Sequence, residues 1–390
     1  MTDLSAMNSS TFSGRQFKVF VAEDGVDTDT GGADVATVGE FNTTAASYMA
    51  LDTEGITFPS FSPNQEFEMR AGTGRVAEFG QMFSSSKGVV TEFTISGRLD
   101  QQALMIFMEN VTGEAASLGT DPDGIVTLAT GYAGGTNMKH GDTVAADQFE
   151  KTLSFYFQGP TAADSYKLHG CVCSNLQITA DMGTASGRYD YSATFRTQYK
   201  PGKGAVAVNA TIPSTQMFLS NMSIRHLNML DVGGSSFYKY TPFFNSISLT
   251  IDAPPVFIGA QGDNAEPEVI GRALPEMNIT FAGSIKYDEA SDNLIEAHRD
   301  PNQNSYIQFV GTNKALTGTS TIVPTDGNFA SDIGFADHDD LEFSFLFHKA
   351  KLISASVGSG DVATVDFEAK VVDDGTRNIL VVATGDSSSS

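Results

Sequence analysis

Histidine and clustered carboxylates are the side chains that most often bind metals or catalyse reactions, and this 390-residue chain groups few of them. Its histidines follow neither HExxH nor another metal-ligand spacing. His338 stands among Asp337, Asp339 and Asp340, which is typical of a solvated acidic turn. The six histidines are His140, His169, His226, His298, His338 and His348. They predict no metal site and no catalytic base.

Cysteines and an acidic run were the next candidates for metal binding. Cys171 and Cys173 are the only cysteines, and on a strand they would share one face, which is a poor geometry for a disulfide. Two ligands also fall short of the four that a structural zinc site uses. We expect two reduced thiols, as in a protein made in the cytoplasm. The run DGVDTDTGGAD (24–34) lacks the ligand spacing and final glutamate of an EF-hand.

Glycine-rich segments do not predict a nucleotide site either. The run AGTGRVAEFG contains Gly72, Gly74 and Gly80 but is not GxGxxG, and no βαβ unit follows it. The chain has no GxSxG nucleophile elbow and no P-loop. We therefore expect no enzyme activity, no cofactor and no metal.

The composition predicts a β protein that avoids polyanions. There are 47 Asp and Glu against 23 Lys and Arg, a net charge of −24, which disfavours phosphate binding. With 28 Phe, 38 Gly and 41% hydrophobic residues, the chain has material for a core and many turns. No apolar run approaches the ~20 residues of a membrane span, and MTDLSAMNSS lacks the basic and apolar regions of a signal peptide.

The element that would organise such a fold is the stretch from Phe61 to Asp100. Apolar and polar residues alternate around Phe67 and again around Phe93, which predicts two strands. Between them lies a Gly- and Ser-rich loop, 71–91. After Gly97 the spacing becomes helical, with Asp100 as N-cap and Gly113 as C-cap.

A similar unit follows in the second half. Phe244 to Ala253 and then MNITFAGSIKYD read as strands, separated by the loop 254–276, and a polar helix would run from Asp288 to Pro301. We matched Phe244 with Phe61, Gly283 with Gly97 and Asp288 with Asp100, at offsets of 183, 186 and 188 residues. This spacing predicts a duplication, with a first domain at 1–200, a linker at 201–213, a second domain at 214–386 and a disordered tail at 387–390.

Three segments together resemble the tail tube (major tail) proteins of long-tailed bacteriophages: FSPNQEFEMRAGTGR, VVTEFTISGRLD with its short helix, and LHGCVCSNLQITADMGTASGRYDYSATFRT. The likeness covers the first half directly and the second half through the duplication. It implies a mainly β fold of two tandem β-sandwich or barrel-like domains, each with a short flanking α-helix.

The resemblance also implies a function. Copies of the chain would form trimeric, pseudo-hexameric rings that stack into a hollow tube, and DNA would pass through it without specific binding. The other partners would be a tape-measure protein and tail completion or tip proteins. The protein would be made in the host cytoplasm and reside in the virion tail.

Within that model, two groups of residues have expected roles. The residues that alternate with the core on the organising strands are lumen candidates: Glu66, Glu68, Glu92 and Thr94. The two matching loops would contact the adjacent ring through Arg75, Phe79, Met82, Phe83, Phe257, Ile258 and Ile270.

Two alternatives remain open at this point. One is another β-rich virion or surface protein, such as an adhesin or a capsid decoration protein, with no ring and an aromatic receptor-facing patch. The other is an enzyme on a β scaffold, which would need a concave pocket with paired carboxylates roughly 5–10 Å apart.

Overall fold

This computed structural model describes residues 17–27, 35–37, 41–59, 64–67, 82–85, 89–113, 117–118, 124–128, 138–139, 143–144, 152–183, 187–208, 224–231, 237–240, 244–258, 269–272, 277–287, 295, 299, 305–312, 343–358, 363–373 and 379–384. Over these ranges the protein is mainly β, as predicted, with an 18-stranded antiparallel sheet and a 12-residue α-helix.

The strands of the large sheet and of three smaller ones have the following bounds. They are β1 (Lys18–Glu23), β2 (Val26–Asp27), β3 (Val35–Thr37), β4 (Met49–Leu51), β5 (Thr53–Thr57), β6 (Asn64–Phe67), β7 (Met82–Ser85), β8 (Thr91–Arg98), β9 (Ser117–Leu118), β10 (Gly124–Leu128), β11 (Met138–Lys139), β12 (Thr143–Val144), β13 (Leu153–Gln158), β14 (Tyr166–Asp181), β15 (Tyr189–Thr197), β16 (Gly202–Lys203), β17 (Ile224–Asp231), β18 (Phe237–Tyr240), β19 (Phe244–Asp252), β20 (Pro255–Ile258), β21 (Val269–Arg272), β22 (Asn278–Lys286), β23 (Ser305–Thr312), β24 (Phe343–Gly358), β25 (Thr364–Val371) and β26 (Leu380–Thr384).

A continuous ladder of strands runs through both halves of the chain. In the first half the order is β5–β8–β15–β14, and in the second half it is β19–β22–β25–β24. β14 pairs with β19 and joins the two groups, with Asn175 opposite Asp252 and Asp181 opposite Ser246. We name the four strands before this junction the first ladder and the four strands after it the second ladder.

The two 16-residue strands, β14 and β24, also pair with other strands in their N-terminal halves. β14 pairs there with β13, which pairs with β1. β24 pairs there with β23, which pairs with β17. β16 pairs with the start of β14, and β26 pairs with the start of β24. The order of strand pairing is therefore the same in both halves.

Bulges in the two ladders provide an alignment that does not depend on residue identity. β14 shifts register against β15 between Cys173 and Asn175, and β24 shifts against β25 between Leu352 and Ser354, 179 residues later. β5 and β19 each shift near their first residues, against β8 and β22. Because a bulge changes which residues face each other, matching bulges fix the register of the comparison.

This alignment corrects the spacing predicted from the sequence. The register shift in β5 lies beside Gly97, and the shift in β19 lies beside Ile285, which is 188 residues later. Gly97 therefore corresponds to Ile285 and not to Gly283. The shift in the long strands agrees, because it places Phe281 where Phe93 stands.

The first landmark of the prediction was also wrong. β19 corresponds to β5, so the partner of Phe244 is Thr53 and not Phe61. The predicted strand around Phe67 is β6, which pairs with β7 in a separate two-stranded sheet. The alternation in that segment was real, but it belongs to a hairpin between β5 and β8.

Side-chain volumes explain why residue identity misled the match. Ile95 faces Ala193 in the first ladder, whereas Gly283 faces Phe367 in the second. A Cβ atom on Gly283 would lie 2.9 Å from Cζ of Phe367, so the large partner requires a glycine there. Exchanging large and small residues across a strand pair preserves the packing while removing the sequence similarity.

Helix α1 (Gln101–Thr112) has the caps that the sequence predicted. The Asp100 side chain accepts a hydrogen bond from the Ala103 amide at 2.9 Å. Gly113 ends the helix with φ = 86°, in the left-handed region that favours glycine. In the second half, Ile295 and Arg299 are helical, and Ile295 packs on the core 188 residues after Phe107.

One apolar cluster extends through both ladders and α1. Its members alternate with polar residues along the strands, so each ladder has one buried face. The predicted interior residues that it contains are Phe93, Ile95, Phe107, Phe155, Phe195, Leu249, Ile279, Phe281, Phe345 and Phe367. Phe67 was predicted to belong here but lies in the separate hairpin of β6 and β7.

The segment predicted as a linker begins as part of the first half. Gly202 and Lys203 form β16 and pair with the start of β14. Val206 and Val208 then pack against a small apolar cluster that contains Phe20. Residues 209–213 of the predicted linker lie outside the described residues.

Candidate assembly surface

The ladder strands present a polar face opposite the core. It consists of the residues that alternate with the buried ones, for example every second residue from Glu92 to Arg98 in β8 and from Ser246 to Asp252 in β19. Cross-strand neighbours on this face are hydroxyl- and amide-bearing: Gln177 lies opposite Ser192 on one side and Thr250 on the other. We name this surface the polar face.

Charges on the first ladder's part of the polar face are paired. The Arg188 guanidinium donates to Asp190 Oδ1 at 2.7 Å and to Glu54 Oε1 at 3.1 Å. Arg98 also donates to Glu54, at 3.2 Å, and a similar bond joins Arg196 to Glu92 at 2.7 Å. The hydrogen bond to Asp190 raises the pKa of Arg188. The arginines are therefore held in fixed positions beside carboxylates.

The polar face forms a trough where the two ladders meet. Serine and threonine side chains of β14, β19, β22, β24 and β25 line it, together with four carboxylates and one arginine. The charged residues are Asp181, Asp190, Asp366, Glu368 and Arg188. The trough is thus hydrophilic, with more negative than positive side chains.

Both ends of the continuous ladder are open. β5 pairs with β8 along one edge and has no partner strand on the other among the described residues. The C-terminal half of β24 pairs with β25 and likewise has no second partner within the described ranges. An unpaired strand edge is a template for pairing with another chain.

Core-facing side chains are covered at the central junction and uncovered at these two ends. Ile178 and Leu249, which face each other where β14 meets β19, are each 1% exposed. Val357, the counterpart of Ile178 on β24, is 51% exposed. Phe58, the counterpart of Leu249 just after β5, is only half-buried. The sheet therefore lacks a covering partner at its ends.

The predicted lumen residues divide between the polar face and the hairpin. Glu92 and Thr94 lie on the polar face, where Thr94 Oγ1 is 3.0 Å from Thr194 Oγ1. Glu66 lies in β6, opposite Phe83, and therefore does not share a sheet with the other two. The fourth candidate, Glu68, lies outside the described residues.

The predicted inter-ring residues fall in two hairpins at equivalent positions. Met82 and Phe83 belong to β7, which pairs with β6. Phe257 and Ile258 belong to β20, and Ile270 belongs to β21, which pairs with both β20 and β11. Arg75 and Phe79 lie outside the described residues.

The second hairpin presents an apolar pair of which the sequence reading identified one member. Ile258 is 54% exposed, and Val256, two residues earlier on the same side of β20, is 38% exposed. Alternation in a strand was the signal that should have added Val256 to the prediction. These two side chains form an exposed apolar stripe on β20.

The described residues bring together no catalytic group. They contain no cluster of three or more His, Cys, Asp or Glu that could hold a metal ion. Burial and the nearby charge of Asp24 raise the pKa of the Cys171 thiol well above its usual value. The buried Asp24 carboxylate itself accepts hydrogen bonds from Thr152, Ser154 and the Gly170 amide. This group is fully occupied in binding neighbouring strands together.

Sequence reasoning did not find the pairing of Arg188 with Glu54. The two residues lie 134 positions apart, and nothing in their local sequence indicates a contact. The contact exists because β5 and β15 lie on either side of β8. Such a site can be recognised only once the strand order is known.

Comparisons with known proteins identify no relative. No family model matches the sequence, and no curated protein matches it. Within the described residues, none of the helices has the length and apolarity needed to cross a membrane. Function is therefore inferred from the chain's own residues and their geometry.

Proposed function

We propose that this chain is a structural subunit that assembles with copies of itself into stacked rings, forming the hollow tail tube of a long-tailed bacteriophage. The observation that carries the proposal is the contrast between the junction and the ends of the ladder. Side chains that are covered where β14 meets β19 are uncovered on β24 and beside β5. A ladder with two complementary open ends favours head-to-tail closure with further copies.

The repeated strand order supports two tandem copies of one β-sandwich or barrel-like domain. Each copy contributes a ladder, a long bulged strand and helical residues packed on the core. A chain with two such copies would behave as two units of a ring. Three chains would then give a ring with pseudo-sixfold symmetry, as the resemblance to tail tube proteins implies.

The polar face suits the inner wall of a tube that conducts DNA. Its serines, threonines and amides bind water, and the arginines of the first ladder are paired with carboxylates. DNA binds tightly to surfaces that offer many free cationic side chains. Pairing each arginine with an acid reduces that attraction, so the duplex would slide past a hydrated wall.

The two hairpins would make the contacts between rings. They lie at equivalent places, between β5 and β8 and between β19 and β22. The exposed stripe of Val256 and Ile258 provides apolar area for such a contact. Burial of apolar surface contributes about 25 cal/mol per Å² to association.

This proposal places the protein in the virion tail, after its synthesis in the host cytoplasm. Its remaining partners would be a tape-measure protein inside the tube and tail completion or tip proteins at its ends. Neither partner requires a cofactor or an enzymatic step from this chain.

Electron microscopy of the purified full-length chain tests the proposal. We expect hollow polymers with a periodic axial repeat at high protein concentration, and a central channel in averaged images. An adhesin, a decoration protein or an enzyme would give compact particles. If the chain stays monomeric at all concentrations, and also in the presence of fragments of assembled tail, the proposal is wrong.

A further inference from the structure

We infer that the partner of the open β24 edge is the β5 edge of a second copy of this chain, in a register set by the junction of β14 with β19. This inference rests on the proposed assembly and adds the identity of the contacting residues. The junction inside one chain serves as the template, because β24 corresponds to β14 and β5 corresponds to β19.

The register follows from the bulges that align the ladders. Residues of β24 lie 179 positions after their counterparts in β14, and residues of β5 lie 191 positions before those in β19. The Ile178–Leu249 pair of the junction then becomes Val357 of one chain opposite Phe58 of the next. This contact would cover the two core-facing side chains that the single chain leaves uncovered.

Hydrogen-bond parity supports the same register. Near the ends of the junction, the Ala253 amide donates to the Ser174 carbonyl at 2.9 Å, and the Met182 amide donates to the Asn245 carbonyl at 2.8 Å. Both pairs belong to the alternation that includes Leu249. Residues of this alternation point their amides at the partner strand, and the residues between them, such as Thr250, point theirs away.

Pro59 fits this parity. It is the counterpart of Thr250, so its missing N–H would point away from the second chain. A proline is tolerated in an edge strand where no ladder bond is required of its nitrogen. In a register shifted by one residue, Pro59 would have to donate a bond that it cannot make, so the alternative is disfavoured.

The junction between chains would be less apolar than the junction within a chain. Inside the chain, Leu176 faces Ile251 on the core side of the contact. Its counterpart on β24 is the smaller Ala355, which is half-buried in the single chain. Less apolar area covered gives a weaker contact, so closure depends on protein concentration or on an existing ring.

Paired cysteines test the register. Ser356→Cys combined with Pro59→Cys places two thiols on the polar face at a non-hydrogen-bonded pair, where Cα atoms lie about 4.5 Å apart, within the range of a disulfide. The matched control within one chain is Gln177→Cys with Thr250→Cys. The out-of-register control is Ser356→Cys with Thr57→Cys, a diagonal pair about 7–8 Å apart. The buried native thiols remain in place.

After oxidation of assembled protein, we expect covalent multimers from the first variant on a non-reducing gel, ending at the number of chains in a ring. The Gln177 control should form its disulfide within single chains, and the out-of-register control should form few multimers. Tubes without crosslinks, or a disulfide inside single chains of the first variant, would overturn the register and leave the proposed function standing. Crosslinked rings without tubes would support the register and reject the tube. Neither polymers nor crosslinks would overturn both.

Discussion

Phe93 and Phe281 occupy the same position in the two ladders. Each is almost completely buried, and each is surrounded by aromatic rings of neighbouring strands. Phe93 lies 5.1 Å from Phe155 between ring centroids, and Phe281 lies 5.6 Å from Phe347. The two halves therefore depend on a central phenylalanine in the same way.

Replacing either phenylalanine with alanine should reduce the free energy of unfolding by about 3–5 kcal/mol, because a large cavity remains in a packed core. Chemical denaturation followed by circular dichroism measures this loss. Val90→Ala, at a side chain that is 45% exposed, is the control and should change stability by less than about 0.5 kcal/mol. A loss below 1 kcal/mol at Phe281 would show that the second core is not packed as described.

The Asp100 carboxyl should make stability depend on pH. Burial raises the pKa of this N-cap residue above its ordinary value, against the lowering effect of its backbone hydrogen bonds. The folded state therefore binds this proton more tightly than the unfolded state, so its contribution is largest in acid. That contribution is lost as the pH rises from the ordinary aspartate pKa through the raised one.

Asp100→Asn keeps a capping oxygen and removes the charge, so the difference in stability from the parent should shift in favour of the variant as the pH rises through that window. Urea denaturation at a series of pH values measures the difference. Asp100→Ala loses the cap and should cost about 1 kcal/mol at every pH. A difference between parent and Asp100→Asn that does not change with pH would contradict the assigned burial effect.

Changing Val256 and Ile258 together to serine should shorten the polymers without unfolding the chain. Both side chains are exposed, so their removal costs little stability, whereas a contact between rings would lose apolar area. Tube lengths in electron micrographs, compared at equal protein concentration, measure the effect. Tyr287→Ser, at another exposed apolar side chain, is the control. Unchanged lengths in the double variant would exclude this stripe from stacking.

Reversing the charge of Asp366 and Glu368 with lysine should make the tube retain DNA. Both line the trough, and two added cations beside unpaired phosphates favour binding that salt weakens. DNA release from assembled particles should slow at low ionic strength and recover at high ionic strength. Ser354→Gln with Ser356→Gln is a neutral control on the same face. Release that stays unchanged at low salt, in tubes that contain the variant, would place the trough outside the DNA path.

The sequence predicted much of the fold from local patterns. Alternation located the strands that carry Phe93, Phe155 and Phe195, because a one-sided sheet imposes period two. Asp100 and Gly113 bounded α1, because caps depend on chemistry within one turn.

Register and surface were harder to predict because they depend on distant residues. Gly97 and Gly283 looked equivalent, yet a Cβ on Gly97 would lie 1.9 Å from the Asp52 carbonyl oxygen, while Gly283 makes room for Phe367. The two glycines serve different neighbours. Likewise, parity marks Val357 as a core residue, but its exposure shows only in the folded chain, where no strand covers it.

The covalent link between β14 and β19 changes how an assembly would nucleate. Half of the strand-to-strand junctions around a ring form when each chain folds, at an effective concentration set by the connecting segment rather than by the amount of protein. Only the remaining half require a collision between molecules. A ring built this way needs fewer encounters than one built from single-copy subunits, so its smallest stable nucleus contains fewer molecules.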